Sequence, residues 1–381
     1  MAARLRVVER IAEIPAAIWD GLAQSPGCGR NPSVSHAFLL AMEESGCVGG
    51  KTGWLPRHVA LEEDGQITGV APCYLKSHSM GEYVFDHGFA DALHRAGGRY
   101  YPKLQVSVPF TPVPGPRLLA ATAERKKLLA EGLKQLARST NASSVHITFL
   151  PDEDWAALAD VGFLQRQDIQ FHWHNNGYTS FADFLAALSS AKRKNIRKER
   201  EAVAARGITF EHVTGRDLTS VHWDHFYRFY VDTGSRKWGK PYLNRAFFTH
   251  LNETMADDLL LVLASRDGRV IAGALNLVGS DRLYGRNWGC VEDHPFLHFE
   301  TCYYQAIDFA IARGLKVVEA GAQGEHKLAR GYLPVRTCSS HHFVHAGLSR
   351  AVEDYLASER AAVEENRTIL SDHSPFKEER E

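Results

Sequence analysis

The sequence predicts a mixed α/β protein built from two tandem lobes of similar plan, and three observations carry that reading. The first is the stretch 283–320, which reads as strand, helix, strand. Leu283–Gly289 is an extended run, and His298–Arg313 sets Phe299, Tyr303, Ala306, Ile307 and Ala310 on one helical face. Gly314 supplies the left-handed conformation that commonly closes a helix, and Lys316–Ala320 is a buried-type strand. A parallel strand pair with a right-handed crossover is the expected outcome. The second observation is a pair of hairpins that each turn on Asp-Gly, at Asp64-Gly65 and Asp267-Gly268. The third is that the segments around them align, LEEDGQITGVAPCYL with LASRDGRVIAGALNL. A duplicated plan of this kind predicts lobes at 1–175 and 176–381, the second ending in a closing helix, with a cleft between them.

Taken in order, Arg4–Arg10 reads as a first strand, and Pro15–Leu22 and Ser35–Ser45 as short helices. Arg57–Glu62 and Ile67–Leu75 form the first hairpin. Gly81–Phe89 and Lys103–Val108 are further strand candidates. Pro109–Pro116 cannot be regular, because its prolines remove backbone donors. Glu124–Ser139 is a helix, Ser144–Leu150 a strand, Asp152–Val161 a helix, and Phe163–Arg166 and Ile169–Trp173 are extended. The order then restarts. Phe181–Gly207 is helical, Ile208–Val213 a strand, Leu218–Gly234 and Arg245–Ala256 helices, and Leu259–Ser265 with Val270–Val278 the second hairpin. His341–His345 is a last strand and Arg350–Ile369 an amphipathic helix.

Bulk properties narrow the function. The 381 residues are 44% hydrophobic, enough for real cores. A formal charge of −1 and a pI near 7.0 give no global attraction for DNA, RNA or anionic membrane, so such contacts would need a local patch. The six cysteines are scattered with no CxxC pair, as expected of a reducing compartment. No apolar run approaches the length of a membrane span, and the first residues lack a signal-peptide core, so a cytoplasmic protein is expected, with peripheral membrane contact as the limit.

Two places are chemically unusual. The loop 293–298 leads into a helix whose first N–H groups favour an anion. The strand exit at Glu319 releases Gln323, Glu325, His326 and Lys327 among small residues, where open sheets tend to bind ligands. His298 and Glu300 open the helix. Asp86 and His87 form an acid–histidine pair in the first half, and Tyr101, Lys103 and Gln105 share a strand face. Lys192 and Asn195 lie in a basic helical run with Lys198 and Arg200, and Arg236, Lys237 and Trp238 form a basic loop with one aromatic. His172 and His174 share a strand face and His341, His342 and His345 cluster. With no HExxH and no cysteine partner, no metal is expected.

Several segments together resemble the FemAB-like, "peptidoglycan biosynthesis/recognition" group of predicted N-acyltransferases in the GNAT superfamily. They are GEYVFDHGFADA (81–92), YYPKLQVSVPFTPVPGPRLL (100–119), KRKNIRKERE (192–201), SRKWGKPYL (235–243), GALNL (273–277), LYGRNWGC (283–290), HFETCYYQAIDFAI (298–311) and EAGAQGEHKLARGYLPV (319–335). The second lobe also resembles that of leucyl/phenylalanyl-tRNA–protein transferase. The resemblance implies a bacterial enzyme of two GNAT-like lobes with mixed central sheets that transfers an acyl group to an amine. It adds Asn287 and Trp288 to the substrate-binding candidates. One departure stands out: the glycine-paired phosphate loop of acyl-CoA-binding GNATs is replaced by Glu292–His298.

Such a transfer needs a base, an oxyanion donor and a cleft that aligns substrates and excludes water. Glu325 or His326 is the expected base, with Glu319 orienting it. Gln323 and the backbone near His298 are the expected oxyanion support. The expected donor is a thioester, acyl-CoA or acyl carrier protein, acting as co-substrate with no other cofactor. The acceptor is a small amine or an amino-lipid such as a sphingoid base, giving a ceramide-type product. Two other readings stand beside it: aminoacyl-tRNA-dependent transfer to a peptidoglycan precursor or protein, and a non-catalytic binding protein on the same fold.

Overall fold

The computed structural model describes residues 3–24, 29–237, 240–322 and 324–377. Its strands are β1 (Arg4–Val8), β2 (Trp54–Pro56), β3 (His58–Glu63), β4 (Gln66–Ala71), β5 (Cys73–Lys76), β6 (Lys103–Val106), β7 (Leu119–Ala120), β8 (Ser144–Leu150), β9 (Leu164–His174), β10 (Ile208–Thr214), β11 (Leu259–Arg266), β12 (Arg269–Val278), β13 (Arg282–Cys290), β14 (Val317–Glu319) and β15 (Leu333–Phe343). The chain forms two compact units. One holds 1–169 and 336–366, the other 170–335 and 367–381. Residues 336–366, expected in the second lobe, therefore belong to the first. The physical reason is a ladder and a packing face: Cys338–Phe343 pairs antiparallel with β8, and Leu348, Val352 and Leu356 pack with Phe89, Leu93 and Tyr100.

In the first unit β1, β3, β4 and β7 form one antiparallel sheet. A second set runs from β2 through β5 and β6 to β8, with β6 and β8 parallel. The helix Ala123–Ser139 lies between β6 and β8 in sequence and buries Leu129, Ala130 and Leu133 among Val59, Leu61, Leu104, Val106, Val145 and Ile147. Thr122 caps its first turn by accepting from the Arg125 N–H.

In the second unit β10, β11, β12 and β13 make an antiparallel ladder. β13 and β14 then run parallel, joined by the helical stretch 297–312, and β14 pairs antiparallel with the end of β9. Both Asp-Gly turns carry two consecutive positive φ values, 50° and 78° at Asp64-Gly65 and 50° and 73° at Asp267-Gly268. That twist matches the flanking strands, which is why these residues select a two-residue hairpin. The strand–helix–strand unit read from the sequence is present, and among the described residues no helix is long and apolar enough to cross a membrane.

Two local expectations differ. Gly81–Phe89 is not a strand: Gly81 and Tyr83 take positive φ, and the segment loops into the helix His87–Arg95. Phe181–Gly207 is two helices, Phe181–Ala187 and Ser190–Ala204, separated where Leu188 and Ser189 take extended backbone.

Two outcomes follow from this packing. A Cβ at Gly289 of β13 would lie 2.2 Å from the Phe229 carbonyl oxygen, a backbone atom of the helix Ser220–Lys237. Gly289→Ala is expected to cost about 2 kcal/mol of stability, read as a lower urea midpoint. Burial holds His146 and His172 neutral, each pushed down to about 3. Below the unfolded value near 6.5 the unfolded chain gains protons that the folded chain refuses, so stability falls as pH drops from 6.5 toward 3. Urea midpoints at pH 7 and pH 5 check this, with the lower value expected at pH 5.

Candidate active site

The parallel ladder between β13 and β14 is short. It joins Arg282–Tyr284 to Val317–Glu319 and stops, while β13 continues to Cys290. Pairing of β12 with β13 slips at the same level: Leu275 faces Asn287 and Asn276 faces Gly285, so Arg286 is an extra residue in a bulge. A bulge turns a strand and re-aims its side chains, often beside active sites. The parting strands open a cleft of about 110 Å3, lined by Asn276, Gly285, Arg286, Asn287, Trp288 and Ala320 together with His298, Cys302 and Tyr303 of the helix. The Asn287 side-chain oxygen is buried there with no hydrogen-bond partner. A larger cleft, about 400 Å3, lies at the loop leading into the helix and shares Trp288 and His298 with the first. Its other walls include Arg236, Pro295, Phe296 and Phe299.

The helix is unusual where it borders the cleft. Phe296 takes a φ of +68°, a left-handed turn made without glycine, and Glu300–Tyr304 forms a π-turn. Such widened turns recur at functional sites. Tyr303 lies in this turn, and its hydroxyl is 2.9 Å from His326 Nε2. Burial raises the Tyr303 phenol well above its ordinary value, keeping it protonated. His326 is exposed in the turn, yet partial desolvation of its ring, with Arg330 and Lys327 adding, lowers it and favours the neutral form. Two ion networks brace these groups. Arg200 reaches Glu300 at 3.0 Å and Asp308 at 2.7 Å. Arg330 lies 3.4 Å over the Phe299 ring and bonds Glu199 at 2.7 Å, which also accepts from Tyr304. Lys327 is buried, donates to the Gly321 carbonyl at 3.0 Å, and is pushed down to about 8 by burial.

The expected site residues fall into three groups. His298, Asn287 and Trp288 line the cleft, and His326 adjoins it through Tyr303. Glu300 lies beside it, held by Arg200. A second group lies elsewhere. Glu319 is buried against Arg282 at 3.2 Å, so the partner that orients His326 is Tyr303 rather than Glu319. Glu325 is exposed in the turn Glu325–Arg330; Lys192 is half-buried and Asn195 exposed on the helix Ser190–Ala204. Arg236 is exposed at the larger cleft and paired with Asp232. Gln323, Trp238 and the Lys237 side chain fall outside the described residues. A third group belongs to the first unit, where Asp86 and Lys103 meet in a buried ion pair, Tyr101 bonds Ser79 at 2.8 Å, and His87 is exposed. Among the described residues no group of three or more His, Cys, Asp or Glu side chains could hold a metal ion.

Sequence reasoning missed Tyr303, Arg286 and Asn276. Tyr303 shares the apolar face of the helix and reads as core. Arg286 gains its position only from the bulge, which no residue type announces.

No curated protein matches the chain. Among solved structures, FemX superposes with a TM-score of 0.56 at 13% identity, covering 93% of this chain and 100% of its own. L-PGS from Bacillus licheniformis gives 0.52 at 11% identity, covering 87% of this chain and 99% of its own. A tandem GNAT protein from the clavulanic acid biosynthesis pathway gives 0.49 at 10%, covering 90% and 99%. FemX and L-PGS share this mixed α/β fold. The profile of the family described as peptidoglycan biosynthesis/recognition spans residues 10–378, nearly the whole chain, and the protein is a member of the FemAB-like family.

Proposed function

We propose that the protein is an N-acyltransferase that moves an acyl group from a thioester, acyl-CoA or acyl carrier protein, to an amine, with an amino-lipid as the acceptor class. Family membership supports an acyl- or aminoacyl-transferring enzyme. The observation that carries the finer reading is the parting of β13 and β14 at the Arg286 bulge, beside the Tyr303–His326 pair.

In this reading the amine nitrogen attacks the thioester carbonyl carbon and charge develops on its oxygen. Arg286 and Asn287 line the cleft and offer N–H donors to that oxygen. The C–S bond then breaks and sulfur leaves as a thiolate. His326, kept neutral, takes the proton released by nitrogen through Tyr303, and the same relay returns a proton to the thiolate. The acyl arm occupies the smaller cleft, and the donor's pantetheine-like arm runs past Trp288 and His298 into the larger one. With no glycine pair in the 292–298 loop, a donor held by its arm rather than by a diphosphate suits the site. Aminoacyl-tRNA-dependent transfer remains the competing reading within the family.

Free-thiol release from a long-chain acyl-CoA and an acyl carrier protein thioester, against a panel of amines, tests this. Turnover is expected with at least one amine. Tyr303→Phe and His326→Ala are each expected to lower kcat/KM by about 100-fold or more, the usual scale for losing an acid–base group. No thiol release with any amine, alongside consumption of aminoacyl-tRNA, would overturn the proposal.

A further inference from the structure

The polar groups of the smaller cleft can be sorted by the hydrogen bonds still open to them. Tyr303 is 3% exposed, and its hydroxyl lies 2.9 Å from His326 Nε2. With the phenol protonated and the ring neutral, the hydroxyl donates to the ring, and the Tyr303 oxygen is left facing the cleft as an acceptor. Two amides also line the space. Asn276, 2% exposed, turns its Nδ2 back to the Ala274 carbonyl at 3.5 Å. Asn287 follows the Arg286 bulge, opposite Leu275, on the part of β13 that no longer pairs with β14. Its Oδ1 is closed to solvent and accepts no hydrogen bond. A buried amide oxygen left in that state calls for a donor brought by the ligand.

Counting hydrogens identifies that donor. The cleft measures only about 110 Å3, so a nucleophile that reaches Tyr303 also meets Asn287. Both groups then present acceptor oxygens. A neutral primary amine brings two N–H groups and a lone pair. An alcohol or a secondary amine brings one hydrogen. Only the primary amine satisfies both oxygens, and a buried group left unpaired is how a polar site rejects an analogue that lacks one hydrogen.

We propose that Asn287 is the residue that selects a primary amine, by accepting the N–H that the nucleophile keeps. The amine lone pair forms the C–N bond and the carbonyl electron pair moves to oxygen. One N–H proton leaves through Tyr303 to His326. The other stays on nitrogen, donated to Asn287 Oδ1, and remains in the amide product. The C–S bond breaks, and the relay returns its proton to the thiolate. Asn287 Nδ2 meanwhile serves the carbonyl oxygen, so one side chain reads both the oxygen and the nitrogen of the adduct. This deepens the acyl-transfer reading and rests on it for the reaction, whereas the preference for an N–H group is tested separately.

Two paired comparisons on the full chain make the test. The first is kcat/KM for thiol release with octan-1-amine and with N-methyloctan-1-amine. The second needs no turnover: calorimetric binding of N-octylmethanesulfonamide, whose tetrahedral sulfur carries oxygen and N–H side by side, and of its N-methyl derivative. The wild-type chain is expected to prefer the N–H-richer member of each pair by about 10-fold or more. Asn287→Leu, at unchanged far-UV circular dichroism, is expected to bring both ratios close to one. Asn287→Asp keeps an acceptor oxygen and loses the Nδ2 donor. It is expected to retain both ratios while kcat/KM falls for both amines. A role confined to packing or to the carbonyl oxygen would lower both amines alike in both variants and leave the ratios unmoved. Equal binding of the two sulfonamides by the wild-type chain, which needs no variant to fold, overturns the proposal, as do unchanged ratios in folded Asn287→Leu. A sulfonamide preference that Asn287→Leu removes, with no thiol released by any amine, upholds the N–H-reading role and sinks the acyl-transfer reading instead.

Discussion

The cleft of the second unit depends on how few rungs join β13 to β14. Three residue pairs hold the strands together, and beyond Tyr284 nothing in the ladder continues. Strands in a parallel pair normally run together; here one ends at Glu319 and the other goes on to Cys290. Two features stabilise that geometry. The Arg286 bulge absorbs the change of direction on the β12 side. Gly285 keeps the last rung close, since a Cβ there would lie 3.1 Å from the Glu319 carbonyl oxygen. The cleft is therefore a consequence of backbone pairing, and side chains only line it.

Rigidity around that cleft comes from charge pairs set one layer back. Arg200, between Glu300 and Asp308, fixes the π-turn from the neighbouring helix. Arg330, stacked on Phe299 and bonded to Glu199, fixes the turn that carries His326. Both are arginine, whose planar fork can stack and bond at once. In the run at 192–201, Arg200 and Glu199 thus have structural tasks, while the exposed Lys194 and Lys198 form a solvated face.

Much of the fold was legible because it rests on local chemistry. The Asp-Gly turns, the helix closed by Gly314 and the apolar strands all follow from residue type. The break at Leu188-Ser189 and the loop at Gly81–Phe89 were not legible: the second alternates like a strand, but Glu82 and Asp86 turn inward to Lys103, a pairing set by residues about twenty positions away. The return of 336–366 to the first unit was hidden for the same reason, since β15 finds its partner in β8, nearly two hundred residues earlier. The site shows the same division. His298 and His326 could be named from their positions beside a helix start and a strand exit. Tyr303 could not, because a tyrosine on an apolar helical face signals packing until a bulge and a π-turn bring it to a cleft.

Both units contain a parallel strand pair joined by a helix, β6 to β8 and β13 to β14, and the comparison explains why one plan supports two different environments. In the first unit the rungs run Leu104–Val145 to Val106–Ile147 with no bulge, and its polarity lies on a sheet face covered by a loop. In the second the rungs fail early and the opening itself is the feature. A sheet face presents an array of side chains at fixed spacing, so polar groups on it can pair with one another under a covering loop. A gap between strands presents backbone and few side chains, which suits a thin linear chain. The shared strand plan thus gives one chain both kinds of surface without altering the plan of either unit.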